Sequence, residues 1–384
     1  MTKKLFLPLW ALGSTLLFLY SFTQVDLSLT LSQASIFQTV QKVFQYVGWF
    51  NRPLSVFLYI LLFVVLFALY FWTMFLIQKK RLSKRLVWSG VLIVTGITFI
   101  SYNAFSYDLF NYIFDAKIVT HYNQNPYLQK ALDYLGDPML SFMRWTHRVY
   151  PYGPFWLALT VPISFVGMQI FSVTLLLFKL FIASFFILTV WSIGKIGEKL
   201  KLDNALLPIA AFAFNPFVIT ESLVSSHNDI VMMGIGVFGI YLLLQKKRVF
   251  GGVVLLLSVG VKFVTLAQFI LFFILSVLNK TKYFIPLSLL SMLGAVILAS
   301  MRTNFQPWYM LFAFPFAVLM IDKKYIRFPL YIFSISNVLY YIPFLYTGNW
   351  DPPIPSILNG IVIASSLLSV LIFLFFFRRK KHSI

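Results

Sequence analysis

Stretches of roughly 15–25 apolar residues recur from Leu5 to Phe377, and they constrain this chain more than any other feature. As helices, such stretches match the ~30 Å hydrocarbon core of a bilayer. Lipid offers no partner to a backbone N–H or C=O, so each span must satisfy its own. The predicted class is therefore all-α: a polytopic transmembrane helical bundle. A composition 60% hydrophobic and 19% aromatic excludes an ordinary soluble domain. The absence of cysteine removes disulfides, thiolate metal sites and a cysteine nucleophile. Residues 1–22 do not read as a signal peptide, because no small-x-small cleavage site follows Tyr20. With no Gly/Ser linker and no separate soluble domain, residues 1–384 read as one transmembrane domain.

A net charge of +20 would suit nucleic acid, but its distribution does not. Lys3-Lys4, Lys79 to Arg85, Lys195 to Lys201, Lys246 to Arg248, Lys280 with Lys282, Lys323 to Arg327 and Arg378 to Lys381 form short clusters between spans. Such clusters mark cytoplasmic ends. Most acids, including Asp26, Asp108, Asp115, Glu221, Asp229 and Asp351, fall in the alternate segments. About twelve spans satisfy this pattern: 5–22, 53–78, 86–103, 170–194, 205–222, 229–245, 249–261, 263–279, 283–300, 308–321, 327–346 and 354–377. Both termini are then cytoplasmic in a multi-pass inner-membrane protein. Residues 154–168 are expected to be re-entrant or juxtamembrane, and 249–279 a hairpin turning near Lys262. Residues 36–47 place Ile36, Val40, Val43, Phe44 and Val47 on one helical face, as in a helix lying in the interface.

With that topology, the remaining polar residues converge on the extracytoplasmic face. The 104–153 loop is the first large one and carries Asp108 directly after an apolar span. A charge at mid-span costs roughly 2.5–3.5 kcal/mol on insertion scales, so a carboxylate at the membrane edge asks for a reason. In a helix, Asp108, Tyr112 and Asp115 share a face, with the two acids about 10 Å apart along the axis. Retaining glycosidases hold paired carboxyls roughly 5–5.5 Å apart, so the spacing suits a single base. A capping or solvated aspartate is the bland alternative. Asp115, near Lys117, reads equally well as a solvated or paired acid.

Arg144 and Arg148, four residues apart, have the spacing to flank a phosphate; contact with lipid headgroups competes. Asn215-Pro216 leads to Glu221 and then to His227, Asn228 and Asp229, a set able to hold a sugar, an acceptor or a divalent ion. A polar turn capping the next helix would explain Asn228 and Asp229 alone. Lys262 interrupts a long apolar stretch and calls for a partner anion, with a lipid phosphate as the natural one and snorkelling as the alternative. The turn around Arg302, Gln306, Pro307, Trp308 and Tyr309 offers a second cation and aromatic rings for a sugar face. No Gly-rich nucleotide loop is present.

In this order the motifs resemble bacterial polyprenyl-phosphate-mannose-dependent mannosyltransferases of glycosyltransferase superfamily C. The residues carrying the resemblance are Asp108, Asn125-Pro126-Tyr127, Tyr152-Gly153-Pro154-Phe155-Trp156, Asn215-Pro216 to Asp229, Lys262 and Pro307-Trp308-Tyr309. It implies transfer of mannose or another hexose from a polyprenyl-phosphate donor to an extracytoplasmic glycan or lipid acceptor, with inversion and Asp108 as general base. Lys262, Arg144, Arg148 and Arg302 would hold the donor phosphate. Glu221, His227, Asn228, Asp229, Tyr152, Gln306, Trp308 and Tyr309 would hold sugar or acceptor. No metal ligand set or certain cofactor is implied. A lone Asp108, in place of the family's paired acids, weakens the case for an obligatory metal while leaving a divalent cation open. Membrane lipids are the other expected partner, and nucleic acid is not. The rival reading is a lipid or glycan transporter or flippase without transferase activity.

Overall fold

A computed structural model describes residues 2–278 and 280–381, so the extreme ends of the expected 1–384 domain lie outside the described residues, as do the side chains of Lys380 and Lys381. Those described residues are mainly helical, with no strand beyond an isolated bridge between Lys130 and Val149. The helices are α1 (Thr2–Ser21), α2 (Ser35–Gln45), α3 (Arg52–Gln78), α4 (Lys84–Thr98), α5 (Asp108–Thr120), α6 (Pro154–Val166) and α7 (Phe171–Lys199). There follow α8 (Leu206–Ala213), α9 (Pro216–Ile219), α10 (Asp229–Leu244), α11 (Arg248–Val261), α12 (Leu266–Val277) and α13 (Phe284–Thr303). The chain closes with α14 (Phe314–Val318), α15 (Lys324–Leu339), α16 (Ile342–Thr347) and α17 (Ile354–Lys381).

Six of the described helical segments are long and apolar enough to cross a membrane, and a bent pair, α8 with the segment 216–224, makes a seventh. About twelve crossings were expected. The difference lies in shorter pieces. Helices α10, α11 and α12 are apolar but only 12–16 residues long. Helix α4 stops at Thr98, short of the expected 103. The span expected at 308–321 is a six-residue 3₁₀ turn followed by α14, with Pro307 and Pro315 each opening a new first turn. Chain 154–168 is short, as expected: thirteen residues of α6 reach only about 20 Å.

Polar contacts gather the loops at two ends. At one, Lys84 and Lys195 both meet Glu198, at 2.8 and 2.9 Å, and Lys199 reaches Gln245 at 3.5 Å. The basic segments at 79–85, 195–201 and 246–248 therefore share an end, as their alternation with acids predicts. At the other, the Tyr102 N–H donates to Ser21 Oγ at 3.0 Å and Arg144 meets Asp26 at 3.5 Å. Helix α2 lies at this end. Its Gln41 and Gln45 amides turn inward to the Leu29 and Asp26 carbonyls, at 2.7 and 3.0 Å. Ile36, Val40 and Val43 are left exposed, the orientation of a helix with its apolar face in lipid.

One apolar core runs from Phe6 to Leu345, and the chain from Leu207 to Val237 is buried almost without interruption. Asn215-Pro216 breaks the helix inside this core. A residue before proline is driven out of the helical region, and Asn215 is extended there, its side chain capping Phe217 N–H at 3.0 Å. The span bends by 56°. Its second half ends in a π-helical turn, Thr220–Val224, and Ser226 then takes φ +55° before α10 begins.

Candidate active site

That bend delivers Glu221, His227 and Asp229 to the end of the bundle where α5 starts. Asp108 and Asp229 each occupy the first turn of a helix, where the N-terminal dipole favours an anion. His227 lies between two carboxylates: Nδ1 is 3.6 Å from Asp108 Oδ2, and Nε2 is 3.3 Å from Glu221 Oε2. The imidazole stacks on Trp308, ring centroids 4.1 Å apart. Tyr341 Oη donates to the other Glu221 oxygen at 2.7 Å. Glu221 and His227 are fully buried, whereas Asp108 retains 8% exposure, so the carboxylate chain opens outward at Asp108 alone.

Burial works against charge at both ends of the Asp108–His227 contact, and the contact overcomes it. Desolvation raises the Asp108 pKa, but His227, then Arg148 and Lys262, hold it below the ordinary carboxylate value. Desolvation likewise lowers His227, while Asp108 and Glu221 push it up to about 9. Asp108 is thus an anion and His227 a cation at neutral pH. Asp115 differs: with Lys117 committed to Asp137, burial pushes its carboxyl up to about 8. The pairing with Lys117 that the sequence left open is not made.

Lys262 finds its anion within the protein. Its Nζ donates to both Asp229 oxygens at 2.8 Å and lies 5.3 Å from the Tyr152 ring centroid. Helix α11 ends one residue earlier, and Lys262 itself is extended, so the break expected near it is present. Close backbone approach sets that position. Gly153 N–H donates to the Val261 carbonyl at 3.0 Å, and a Cβ on Gly153 would stand 2.2 Å from the Gly260 carbonyl oxygen. The glycine of Tyr152-Gly153-Pro154 therefore seats α6 against α11. Asn228 accepts from Tyr112 Oη at 3.2 Å.

The remaining candidates form a looser rim. Arg148 is exposed, stacks on Trp145 at 5.0 Å and makes no ion pair with any described residue. Its charge acts on Asp108, Asp115 and Tyr309, so it stands at the mouth of the site. Arg144 is drawn off to Asp26 and the Tyr107 ring. Arg302 is exposed in the last turn of α13. Gln306 opens the 3₁₀ turn that holds Trp308 and Tyr309; all three are half-buried, and Tyr309 Oη pairs with Thr303 Oγ1 at 2.7 Å. Among the described residues, no group of three His, Asp or Glu side chains is placed to hold a metal ion.

Two residues escaped the sequence reading. Lys179 is 3% exposed within α7 and donates to the carbonyls of Leu223 and Val224, at 3.1 and 2.8 Å, and to Ser226 Oγ at 3.0 Å. It ties down the end of the π-turn, three residues before His227. The signal existed, since a lone Lys inside an apolar span demands a partner just as Lys262 does. Tyr341 carried no such signal, being one tyrosine of twenty.

Fold and site together define a multi-pass helical membrane protein with a carboxylate–imidazole centre at one end of its bundle. Residues 11–279 match the family model for the alpha-(1->6)-mannopyranosyltransferase N-terminal domain, and the chain belongs to that family. It is a mannosyltransferase by membership, and the site residues from Asp108 to Lys262 fall inside the matched region. Trp308 and Tyr341, which stack on His227 and hold Glu221, lie beyond it. No curated protein and no solved structure matches the chain.

Proposed function

We propose that the protein is a single-domain, superfamily C type glycosyltransferase that moves mannose from a polyprenyl-phosphate donor to a glycan or lipid acceptor, inverting the anomeric carbon. Asp108 is the general base. The observation carrying this reading is Asp108, partly open at the end of the buried Glu221–His227 pair and held below the ordinary carboxylate value, with the exposed Arg148 acting on it. The donor keeps its tail in lipid and presents its sugar at the extracytoplasmic face of the inner membrane. Both termini are cytoplasmic, in keeping with the basic segments gathered at the opposite end from Asp108.

Asp108 takes the proton of the acceptor hydroxyl as that oxygen bonds to the anomeric carbon. The bond from that carbon to the phosphate oxygen breaks, and its electron pair leaves with the phosphate. Base catalysis of this kind contributes typically 10²–10⁴-fold. Arg148 meets the charge growing on the phosphate, whereas Lys262 and Arg144 are committed to Asp229 and Asp26. Trp308 and Tyr309, with Tyr152 and Gln306, line the place of the sugar, and the 3₁₀ turn fixes their height.

Protein in lipid is incubated with radiolabelled polyprenyl-phosphate-mannose and an envelope-lipid extract, beside Asp108→Asn. Label moves to a new product with the native chain, and the folded variant loses at least about a hundredfold in rate. Full activity in Asp108→Asn would sink the assignment of the base. Labelled lipid crossing the bilayer with no glycosidic product would replace transfer by transport.

A further inference from the structure

The sequence places Glu221 and His227 among the groups that hold a sugar. Their surroundings in the structure leave no room for that. Glu221 is 0% exposed; one oxygen accepts from Tyr341 Oη and the other lies 3.3 Å from His227 Nε2. His227 is 0% exposed, edged by carboxylates at both nitrogens and covered on one face by Trp308. Neither side chain reaches the mouth where an acceptor hydroxyl must sit. What His227 does reach is Asp108 Oδ2, the back of the proposed base, and Glu221 stands behind His227.

We infer that Glu221, His227 and Tyr341 are positioning residues, a buried chain that keeps Asp108 ionised and aimed outward, and that they do not bind substrate. The inference rests on Asp108 being the base, as proposed above. An imidazole with a carboxylate at each nitrogen is held as the doubly protonated cation, since either anion favours a proton on the nitrogen it faces. That cation faces Asp108 Oδ2 as a charge partner at 3.6 Å and leaves the other oxygen for the acceptor. Glu221 supplies the charge that keeps the imidazole protonated, and the Tyr341 hydroxyl fixes the Glu221 rotamer. The logic is that of a base oriented by a second group, which is itself oriented by a third.

Other charges around the chain are few. Arg148 and Lys262 act on Asp108, Lys262 being itself bound to Asp229. Asp115 lies further along α5, and Tyr59 faces Glu221 beside Tyr341. Lys179 is held by Leu223, Val224 and Ser226 rather than by either carboxylate. After Asp108 itself, Glu221 is the group that holds the proton on His227.

The test uses Glu221→Gln, which keeps the shape of the side chain and its Tyr341 contact. Two readouts are taken on the full chain in lipid nanodiscs: an NMR titration of the histidine side chains, assigned by difference with His227→Asn, and kcat and KM as functions of pH. In the native chain the expected His227 midpoint is about 9. In Glu221→Gln that midpoint falls by about one pH unit or more. Asp108 loses the cation behind it when His227 deprotonates, so the alkaline limb of the kcat profile moves down by the same amount. At about pH 10, kcat drops about tenfold, while at about pH 6 it is unchanged and KM for donor and acceptor stays within about twofold. Tyr341→Phe moves the same quantities in the same direction by less, and stands in if the first variant does not fold.

A native His227 that titrates near the free value of 6.5 would overturn the inference. So would Glu221→Gln with an unchanged midpoint and kcat profile but a raised KM, the behaviour of a sugar ligand. The titration needs no turnover, so it reads the chain even if transfer is absent. An inactive Asp108→Asn beside an unaltered Glu221→Gln profile removes this inference and leaves the base assignment standing.

Discussion

The wall of the site, residues 215–229, and its rim, residues 144–148, face the same carboxylate from opposite physical regimes. Every side chain from Asn215 to Asp229 is buried, and each charged group there has a fixed partner within the protein: Glu221 with Tyr341 and His227, Asp229 with Lys262. On the rim, Arg144, Trp145, His147 and Arg148 are all exposed, Trp145 takes φ +55°, and Arg148 has no carboxylate partner among the described residues. A buried charge without compensation costs several kcal/mol, so the wall must be closed upon itself. An exposed arginine has no such need and stays available for an anion that arrives and departs. The wall is thus suited to holding the catalytic geometry, and the rim to exchanging ligand. Substitutions in the wall should register as stability and kcat, and those on the rim as KM and salt dependence.

The largest expected effect is in the wall. Lys262→Met leaves Asp229 buried without its cation, and breaking such a pair costs about 3–5 kcal/mol. Denaturant unfolding in detergent measures it. Because the loss comes from a stranded carboxylate, Lys262→Met with Asp229→Asn should recover more than half of the stability. A single variant as stable as the native chain would show that the wall is not closed by this pair, and Lys262 would then rejoin the rim cations as a free phosphate ligand.

This division between wall and rim was only partly legible in the sequence. Asn215-Pro216 announces its helix break, and the acidic segments alternate with basic ones closely enough to assign the ends. Asp108 stands out as a carboxylate at the edge of hydrocarbon. What a linear reading misses is pairing across the fold. Lys262 and Asp229 are 33 residues apart, and the sequence read them as ligands of two different substrate groups. Glu221 and Tyr341 are 120 apart, with nothing local at Tyr341 to mark it. Span length was misjudged for a related reason. In a continuous apolar run, the prolines at 307 and 315 set where helices begin, while hydropathy registers only that the segment is buried.

On the rim, Arg148→Gln should raise the donor KM about tenfold, equivalent to about 1.4 kcal/mol, without moving the unfolding midpoint. The defect should shrink as ionic strength rises, because an exposed charge is screened within about 10 Å at 0.1 M salt. A change in stability comparable to that of Lys262→Met would place Arg148 in the wall and dissolve the distinction. A defect in kcat alone would mean that Arg148 meets charge present only in the transition state.

The smallest effect is expected at Arg302, and it decides how far the rim extends. Like Arg148 it is exposed, but it sits in the last turn of α13, where a cation already complements the helix C-terminus. Arg148 acts electrostatically on Asp108, whereas Arg302 is not among the groups that shift Asp108, Asp115 or Tyr309. Arg302→Gln should therefore change donor KM by less than about twofold and stability by less than about 1 kcal/mol. Measured at low salt beside Arg148→Gln, it separates a rim confined to the 144–148 segment from one that continues across the 3₁₀ turn. Equal KM defects in the two variants would show that the donor phosphate lies between α13 and the loop, drawing Trp308 and Tyr309 into the path of the lipid headgroup.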